Sequence, residues 1–270
     1  MSKVALSGAS GNMGRMLRVE LPKHGVSLRS AGGTKPLEPL HAGEDVMHGD
    51  LRDPAVVDRL LEGVDVLIHM AGTSVERPLP EIIENNLVAL HQVYEGARRH
   101  KVRRVVTASS NHAFGMYPVG RPIDIGAPYR PDGFYGVSKV WGEAMAQMYW
   151  DKHGIEGIAL RIWSCGARPT EFRHLSTWLG HEDTVQLMLC CIRAQDVGFL
   201  PVWGISNNTR SYVRPVACER IGYRPTQNAE DYAAEILKLK NPIDAVGQKH
   251  MGGAFASADY TPPEGRPGRP

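Results

Sequence analysis

The sequence predicts an α/β fold in which a doubly wound parallel sheet is covered by helices on both faces. Short apolar segments alternate with longer amphipathic ones through the first two-thirds of the 270 residues, and strands buried on both faces have this nearly continuous apolar character. With 42% apolar residues the chain can bury a sizeable core. No internal repeat is visible, so we expect one α/β core with a smaller appendage.

The periodicity predicts six strands and four helices before residue 167. An Asp-Pro pair opens the second of these helices, and runs of Val, Leu and Ile mark the strands. In chain order we expect a strand at 4–8, a helix at 12–23, strands at 26–30 and 44–50, a helix at 54–62, a strand at 64–70, a helix at 79–100, a strand at 103–109, a helix at 134–153 and a strand at 157–162.

The regular alternation weakens after residue 167, where we expect helices at 175–194 and 228–239 separated by polar loops. We therefore expect residues 1–166 to form the core and residues 167–256 a small region packed on it. The last stretch, 257–270, is rich in Pro and Gly and has little to bury, which predicts a disordered tail.

Charge and composition exclude several classes of protein. A net charge of +2 with scattered Lys and Arg gives no footprint for nucleic acid, and no apolar run approaches the roughly 20 residues that span a bilayer. From its first residues we expect no secretory signal, and the four cysteines show no CxxC spacing and no paired framework. We expect a cytoplasmic protein that binds no nucleic acid, membrane or metal.

A glycine-rich loop, GASGNMG, follows the first predicted strand and precedes the first helix. Gly8, Gly11 and Gly14 permit a tight turn, a close approach of the backbone to a diphosphate and close packing of the helix. The free N–H groups at the helix N-terminus favour an anion. The pattern predicts a Rossmann-type, NAD(P)-binding core; a purely structural turn is the alternative.

Two later strand ends support a dinucleotide site, because ligands of such sheets lie beyond the carboxyl ends of the strands. Asp50 ends the third strand and can accept a hydrogen bond from an adenine amino group. Its alternative role is the N-cap of the next helix, which Asp53 can also provide. Ala71 and Gly72 follow the fourth strand, and their small size leaves room for a ligand.

Tyr135 and Lys139 lie one helical turn apart and therefore point the same way. A free phenol has a pKa of roughly 10, and a nearby ammonium together with an oxidised nicotinamide favours the phenolate. Ser110, at the end of the fifth strand, is placed to steady a substrate oxygen while the tyrosine takes its proton. The three residues predict a hydride-transfer enzyme; a surface pair on an amphipathic helix is the alternative.

The order of glycine loop, strand-end serine and YxxxK resembles the short-chain dehydrogenase/reductase superfamily of the extended kind. A closer resemblance, to the NAD-dependent uronate (hexuronate) dehydrogenases, runs over almost the whole chain. The segments that carry it are SSNHAFGMYP, RPDGFYGVSK, MYWDKHG, RIWSC, FRHLSTWLGHEDTV, VWG and GGAF. This resemblance implies oxidation of C1 of a cyclic hexuronic acid, glucuronate or galacturonate, to the aldarolactone with NAD as cofactor.

The resemblance also implies the roles of individual residues. Tyr135 takes the proton of the anomeric hydroxyl, Lys139 holds the cofactor ribose and lowers the tyrosine pKa, and Ser110 hydrogen-bonds the reacting oxygen. Asn86 supports the lysine through a water. The full cofactor site that the resemblance implies is Gly8, Gly11, Met13, Gly14, Asp50, Leu51, Ala71, Gly72, Asn86, Tyr135, Lys139 and Ile162.

A substrate carboxylate needs a cation, and the resemblance places Arg173 there. A guanidinium binds a carboxylate through two parallel hydrogen bonds, which lysine cannot reproduce; a solvated surface arginine is the alternative. His112, taken alone, is equally compatible with a structural histidine. The further substrate residues that the resemblance implies are Ser74, Ser110, Asn111, His112, Tyr135, Ser164 and the pocket-closing Phe255, from this subunit or another. We expect a homo-oligomer that acts on a small sugar acid.

The sequence departs from the family pattern after the second strand. Enzymes that prefer NAD usually carry an acidic residue there to bind the adenosine ribose. In this chain Gly32 or Gly33 replaces the acid, and Arg29, Thr34 and Lys35 are near it in sequence. We therefore predict that NADP is tolerated besides NAD.

Two further departures concern the substrate side. Trp163 stands where the family has a small residue beside the nicotinamide, and Arg214-Pro215 stands where it tends to have Asp-Asn. We expect the indole to narrow the pocket and the loop near the substrate to be rearranged.

Three other functions stay open as alternatives. A neutral aldose 1-dehydrogenase shares the catalytic residues but needs no carboxylate clamp. A nucleotide-sugar epimerase or dehydratase is disfavoured because the C-terminal region is short for holding a nucleoside diphosphate. A non-catalytic dinucleotide-sensing protein typically lacks the tyrosine or the lysine, and this chain has both.

Overall fold

The computed structural model describes residues 3–262. Its strands are β1 (Lys3–Ser7), β2 (Ser27–Ala31), β3 (Asp45–Met47), β4 (Val66–His69), β5 (Arg104–Ser110), β6 (Glu156–Ile162), β7 (Ser164–Cys165), β8 (Trp178–Leu179) and β9 (Phe199–Gly204). Seven of them form a parallel sheet in the order β3-β2-β1-β4-β5-β6-β9, and β7 pairs with β8. The strand order runs outward from β1 in both directions, which confirms the predicted doubly wound α/β fold.

The helices lie between these strands and after them. They are α1 (Asn12–Glu20), α2 (Pro54–Leu61), α3 (Leu79–Ile82), α4 (Ala89–Arg99), α5 (Phe134–His153), α6 (His174–Thr177), α7 (His181–Arg193), α8 (Ala233–Ile236) and α9 (Ala254–Ser257). A π-helical turn, Ile83–Val88, joins α3 to α4, so the helix predicted at 79–100 forms as one continuous element with a local irregularity. Such π turns inside helices occur frequently at functional sites.

Apolar side chains fill both faces of the sheet, which explains why the central strands are continuous apolar runs in the sequence. Val4, Ala5 and Leu6 of β1 are all fully buried. One face packs against α1 and α7, and the other packs against α2, α4 and α5. Because a buried Val or Leu side chain contributes about 1.5 to 3 kcal/mol, this packing holds the strand ends, and the loops that follow them, in place.

The prediction of a single helix at 175–194 is wrong, because strand β8 separates α6 from α7. The Trp178 carbonyl accepts hydrogen bonds from Ser206 N at 2.9 Å and from Asn208 Nδ2 at 2.7 Å. These bonds from a distant loop take the place of an intrahelical bond. Tertiary contacts therefore override the local helical preference.

Two other elements after residue 167 differ from the expectation. The helix predicted at 228–239 is a 3₁₀ turn, Ala229–Tyr232, followed by the short α8. The sequence pattern does not predict β9, whose centre contains Pro201. Proline lacks the N–H that a sheet ladder needs, and it is tolerated here because β9 is the edge strand of the sheet.

The region 167–256 is continuous with the core, since its strand β9 completes the main sheet; the division at residue 166 stays a prediction. Of the tail predicted at 257–270, residues 263–270 lie outside the described part of the chain. Tyr260 N donates to the Ser257 carbonyl at 3.2 Å just after α9. No helix among residues 3–262 is long and apolar enough to cross a membrane.

Candidate active site

A cleft of about 750 Å³ runs along the carboxyl ends of β1, β2, β4, β5 and β6. Cavities of this size hold small-molecule ligands and cofactors. All but one of the predicted cofactor residues line it: Gly8, Gly11, Met13, Gly14, Asp50, Leu51, Ala71, Gly72, Tyr135, Lys139 and Ile162. The exception, Asn86, contacts the wall of the cleft from behind.

The glycine loop brings backbone against backbone at the end of β1. Gly8 has φ +72°, and a Cβ there would lie 2.6 Å from Ala71 N. A Cβ on Gly14 would lie 2.3 Å from the Gly8 carbonyl oxygen. Gly11 caps α1 with extended backbone, leaving the first N–H groups of that helix free of a side-chain cap. This cradle fits a diphosphate on a helix N-terminus, and side chains at Gly8 or Gly14 would clash with the backbone that forms it.

The two acidic residues after β3 have different roles. Asp53 caps α2, because its carboxylate accepts a hydrogen bond from Ala55 N at 2.8 Å. Asp50 lines the cleft, and its carboxylate accepts two-pronged hydrogen bonds from Arg52, including one of 2.6 Å from Nη2. The hydrogen bonds from Arg52 hold the pKa of Asp50 below its ordinary value. Asp50 is therefore an anionic acceptor at the cleft edge rather than a helix cap.

Tyr135, Lys139 and Ser110 meet in the middle of the cleft. Tyr135 is buried on α5, and Lys139 Nζ lies 5.3 Å from the centre of the Tyr135 ring. Burial raises the pKa of Tyr135, a hydrogen bond with Ser110 opposes the increase, and the Asp132 carboxylate adds to it. In the protein alone burial therefore dominates, and the phenol holds its proton.

The environment of Lys139 disfavours its charge. Burial lowers the pKa of Lys139 from 10.5 to about 8. Beside it, Asn86 Nδ2 donates to Ser138 Oγ and to the Thr73 carbonyl, both at 3.0 Å, and Asn86 Oδ1 accepts from Thr73 N at 2.8 Å. Asn86 lies in the π-helical turn and thus ties α5 to the loop after β4. The predicted water link from Asn86 to Lys139 stays a prediction.

A carboxylate that the sequence reasoning missed caps the helix of the tyrosine. Glu76, in the loop after β4, accepts hydrogen bonds from Phe134 N and Tyr135 N, both at 3.0 Å. These N–H groups are free donors at the start of α5, and a negative charge is favoured there. Glu76 is 58 residues before Phe134 in the chain, so no local motif reveals the contact.

Arg173 lies in a nest of neutral oxygen atoms rather than in solvent. Its Nε and Nη2 donate to the Met251 carbonyl at 3.1 and 2.8 Å, and Nη1 donates to Ser164 Oγ at 3.2 Å. In the amide orientation that satisfies its neighbours, Asn111 accepts from Arg173 Nη2 at 2.9 Å and donates to the Ile162 carbonyl. Burial lowers the pKa of Arg173. Within residues 3–262 no carboxylate lies within 4.0 Å of the guanidinium.

His112 lies between an acid and an aromatic ring. Its Nδ1 is 2.7 Å from Asp132 Oδ2, and its ring stacks on Phe255 with the centres 4.0 Å apart. Phe255 comes from α9 of the same chain. Asp132 is a second carboxylate that the sequence reasoning missed, although it lies three residues before Tyr135 in the segment RPDGFYGVSK.

The predicted substrate residues fall into two layers. Those that line the cleft are Ser74, Ser110, Asn111, His112 and Tyr135. Arg173 and Phe255 are outside this lining and contact it at Asn111 and His112, and Ser164 bonds Arg173.

The residues that depart from the family pattern are placed differently. Trp163 lines the cleft and packs near Trp203 and Tyr212, with ring centres 6.3 and 6.0 Å away. Arg214 is exposed and donates to the Thr209 carbonyl at 3.3 Å, outside the cleft lining.

The chain belongs to the NAD dependent epimerase/dehydratase family, whose model matches residues 4–199. Within that family it is similar to uronate dehydrogenases, as the resemblance predicted. The uronate dehydrogenase of Pseudomonas syringae pv. tomato is 37% identical over 258 residues, which cover 95% of this chain and 94% of that protein.

Solved structures agree with this relation. A mutant uronate dehydrogenase from Agrobacterium tumefaciens complexed with NAD is 37% identical, with a TM-score of 0.89 over 95% of this chain and 97% of that chain. Glucuronic acid dehydrogenase from Chromohalobacter salexigens is 33% identical, with a TM-score of 0.88 over the same shares.

Replacing Lys139 tests whether its buried charge lowers the stability of the folded protein. We predict that Lys139→Met raises the free energy of unfolding at pH 7 by about 1 to 2 kcal/mol, because the folded protein no longer buries a charge. The folded pKa of about 8 lies below the unfolded 10.5, so the penalty in the wild type is complete below pH 8 and fades as pH rises toward 10.5. The gain should fade over the same range.

Urea unfolding of both proteins between pH 7 and pH 10.5 measures this difference. The matched control is Lys152→Met on the exposed end of α5, which should change the stability little. A Lys139→Met protein less stable than the wild type at pH 7 would contradict the account.

Proposed function

We propose that this protein oxidises C1 of a cyclic hexuronic acid, glucuronate or galacturonate, to the aldarolactone, with hydride transfer to NAD⁺. The observation that carries the proposal is the Arg173 guanidinium, which has no carboxylate within 4.0 Å among residues 3–262; the acidic groups that act on it, Glu171 and Asp132, lie farther away. A buried cation without an anion in contact is costly unless a ligand supplies the charge. The similarity to proteins named uronate dehydrogenase and glucuronic acid dehydrogenase supports the same substrate class.

The hydrogen bonds of Arg173 leave one direction for a ligand. An arginine carries five N–H donors, and Nε, both donors of Nη2 and one donor of Nη1 have protein acceptors. The second Nη1 donor has none within the described chain. A substrate carboxylate would approach at that Nη1 donor, so it would receive one hydrogen bond from Arg173 and not the two parallel ones expected from the sequence.

A short run of residues connects this anion site to the tyrosine. Asn111 bonds Arg173, and Ser110 on its other side bonds Tyr135. The ring centres of His112 and Tyr135 are 5.6 Å apart. A pyranose lying along Ser110, Asn111 and His112 would place its carboxylate at Arg173 and its C1 hydroxyl near Tyr135.

The charges of the site determine which group takes the proton of the C1 hydroxyl. Tyr135, as the phenolate, takes the proton of the C1 hydroxyl while C1 loses a hydride and its oxygen becomes the lactone carbonyl. Ser110 donates a hydrogen bond to that oxygen, and the charged Lys139 stabilises the phenolate. NAD⁺ bound along the glycine cradle supplies the hydride acceptor.

The cofactor side of the cleft supports tolerance of NADP. Gly32, Gly33 and Thr34 line the cleft where a ribose-binding acid is usual. Arg29 does not face this position, because its guanidinium donates to Asp45 Oδ2 at 2.7 Å and to backbone carbonyls at the C-terminal end of α2. Lys35, the other basic residue close to this position in the sequence, is exposed. The cytoplasmic location and the homo-oligomer stay predictions.

Replacing Arg173 tests the carboxylate site. We predict that Arg173→Ala lowers kcat/KM for galacturonate about a hundredfold or more, because a desolvated charge pair loses one partner. Arg173→Lys should recover only part of the loss. Oxidation of galactose, which has no carboxylate, should change little. Initial rates followed at the NADH absorbance band measure all of these.

The matched control is Arg168→Ala, in the same loop, whose side chain is exposed and paired with Glu235. It should leave both rates unchanged. An Arg173→Ala protein whose turnover barely changes would instead favour the neutral aldose 1-dehydrogenase.

The cofactor preference is tested at Gly33, where a Cβ meets nothing within 4 Å. We predict that wild-type kcat/KM with NAD exceeds that with NADP by less than about a hundredfold, a difference below 2.8 kcal/mol. Gly33→Asp should increase the preference for NAD by about tenfold or more, through repulsion of the 2'-phosphate. Gly33→Asn has the same size without the charge and should not. An Asn variant that discriminates as strongly as the Asp variant would contradict the electrostatic explanation.

A further inference from the structure

Asp132 is a buried carboxylate outside the set of residues assigned above to substrate or cofactor. Its side chain is fully buried, its Oδ2 lies 2.7 Å from His112 Nδ1, and its Oδ1 has no hydrogen-bond partner in the described chain. A buried charge with a bare oxygen is costly. A contribution of Asp132 to stability therefore does not explain why a carboxylate occupies this position.

The backbone closes around this carboxylate from two other segments. A Cβ on Gly115 would lie 1.7 Å from Asp132 Oδ2, and a Cβ on Gly252 would lie 1.9 Å from it. The two glycines are joined, since Gly252 N donates to the Gly115 carbonyl at 2.8 Å. The packing excludes water and holds the carboxylate against the imidazole.

The His112 ring is fixed on its other sides as well. Phe255 stacks on its face with ring planes 19° apart, and Tyr135 meets it edge-on at 5.6 Å between centres. The edge left toward the cleft carries Nε2, and His112 is part of the cleft lining. Nε2 makes no hydrogen bond to any residue between 3 and 262.

A carboxylate accepts hydrogen bonds and cannot donate them, so it selects the imidazole tautomer with its proton on Nδ1. In that neutral tautomer Nε2 is an acceptor. We propose that Asp132 is a positioning residue that holds His112 in the Nδ1–H tautomer, so that Nε2 accepts a hydrogen bond from a hydroxyl of the sugar. This inference rests on the proposed oxidation of a sugar.

A double-mutant cycle separates this role from a merely structural one. Asp132→Asn keeps the shape, but its amide can donate to Nδ1 and so move the imidazole proton to Nε2. We expect Asp132→Asn to lower kcat/KM for galacturonate on the order of tenfold to a hundredfold. In the His112→Ala background the same substitution should change kcat/KM by no more than about twofold, because the group through which Asp132 acts is gone.

Two controls accompany the cycle: the affinity for cofactor, and a substitution at another acidic residue. NADH affinity, measured by fluorescence titration, should be the same in Asp132→Asn and the wild type. Asp151→Asn, at an exposed position of α5 where Asp151 accepts from Gln147 Nε2, should leave kcat/KM unchanged. An equal loss from Asp132→Asn with and without His112, or no loss at all, overturns the inference.

The wild-type protein provides a test that does not depend on folding of the variants. In ¹⁵N NMR of histidine-labelled protein, with His112 assigned from the His112→Ala spectrum, we expect the proton on Nδ1. A proton on Nε2 with Nδ1 bare overturns the inference.

Failure of the proposed function gives a different result. If the wild type oxidises galactose and not galacturonate, the substrate class is wrong and the cycle is run with galactose, with the same two outcomes for Asp132. If the wild type oxidises neither sugar, both proposals fall.

Discussion

The Arg173 guanidinium is a cation surrounded by neutral oxygen atoms, and the substrate half of the cleft is arranged around it. Met251, Ser164 and Asn111 supply those oxygens from three separate parts of the chain. Neutral acceptors orient a guanidinium but do not neutralise it, so the position is favourable for an anion that arrives with the substrate. The C-terminal segment has to be folded before this nest exists, because it supplies the Met251 carbonyl.

The cofactor half depends on a different constraint, the close approach of backbones at Gly8 and Gly14. There the N-terminus of α1 is left open to an anion and the cleft passes along the strand ends. The two halves meet at the end of β5, where Ser110 reaches Tyr135 and Asn111 reaches Arg173. Three consecutive residues, 110–112, thereby set the distance between the tyrosine at the reacting end of the site and the arginine at the anion-binding end.

Local patterns in the sequence predict much of this arrangement. Apolar runs predict the strands because both sheet faces are covered, and Gly8, Tyr135 and Lys139 are recognised because their chemistry depends on short spacings. Contacts between distant segments are not predicted from local patterns. Glu76 caps α5 although it is 58 residues before Phe134. The Trp178 carbonyl accepts hydrogen bonds from Ser206 and Asn208, where a single helix at 175–194 was expected. Such contacts exist only after the chain has folded, so no window of sequence contains them.

The central claim is that this site recognises a carboxylate at one end of a sugar and removes hydride at the other. Galacturonate and galactose differ only at C6, where one carries a carboxylate and the other a hydroxymethyl group. The ratio of wild-type kcat/KM for these two sugars measures the claim most directly. We predict a ratio of about a hundred or more in favour of galacturonate, and a ratio near one would contradict it.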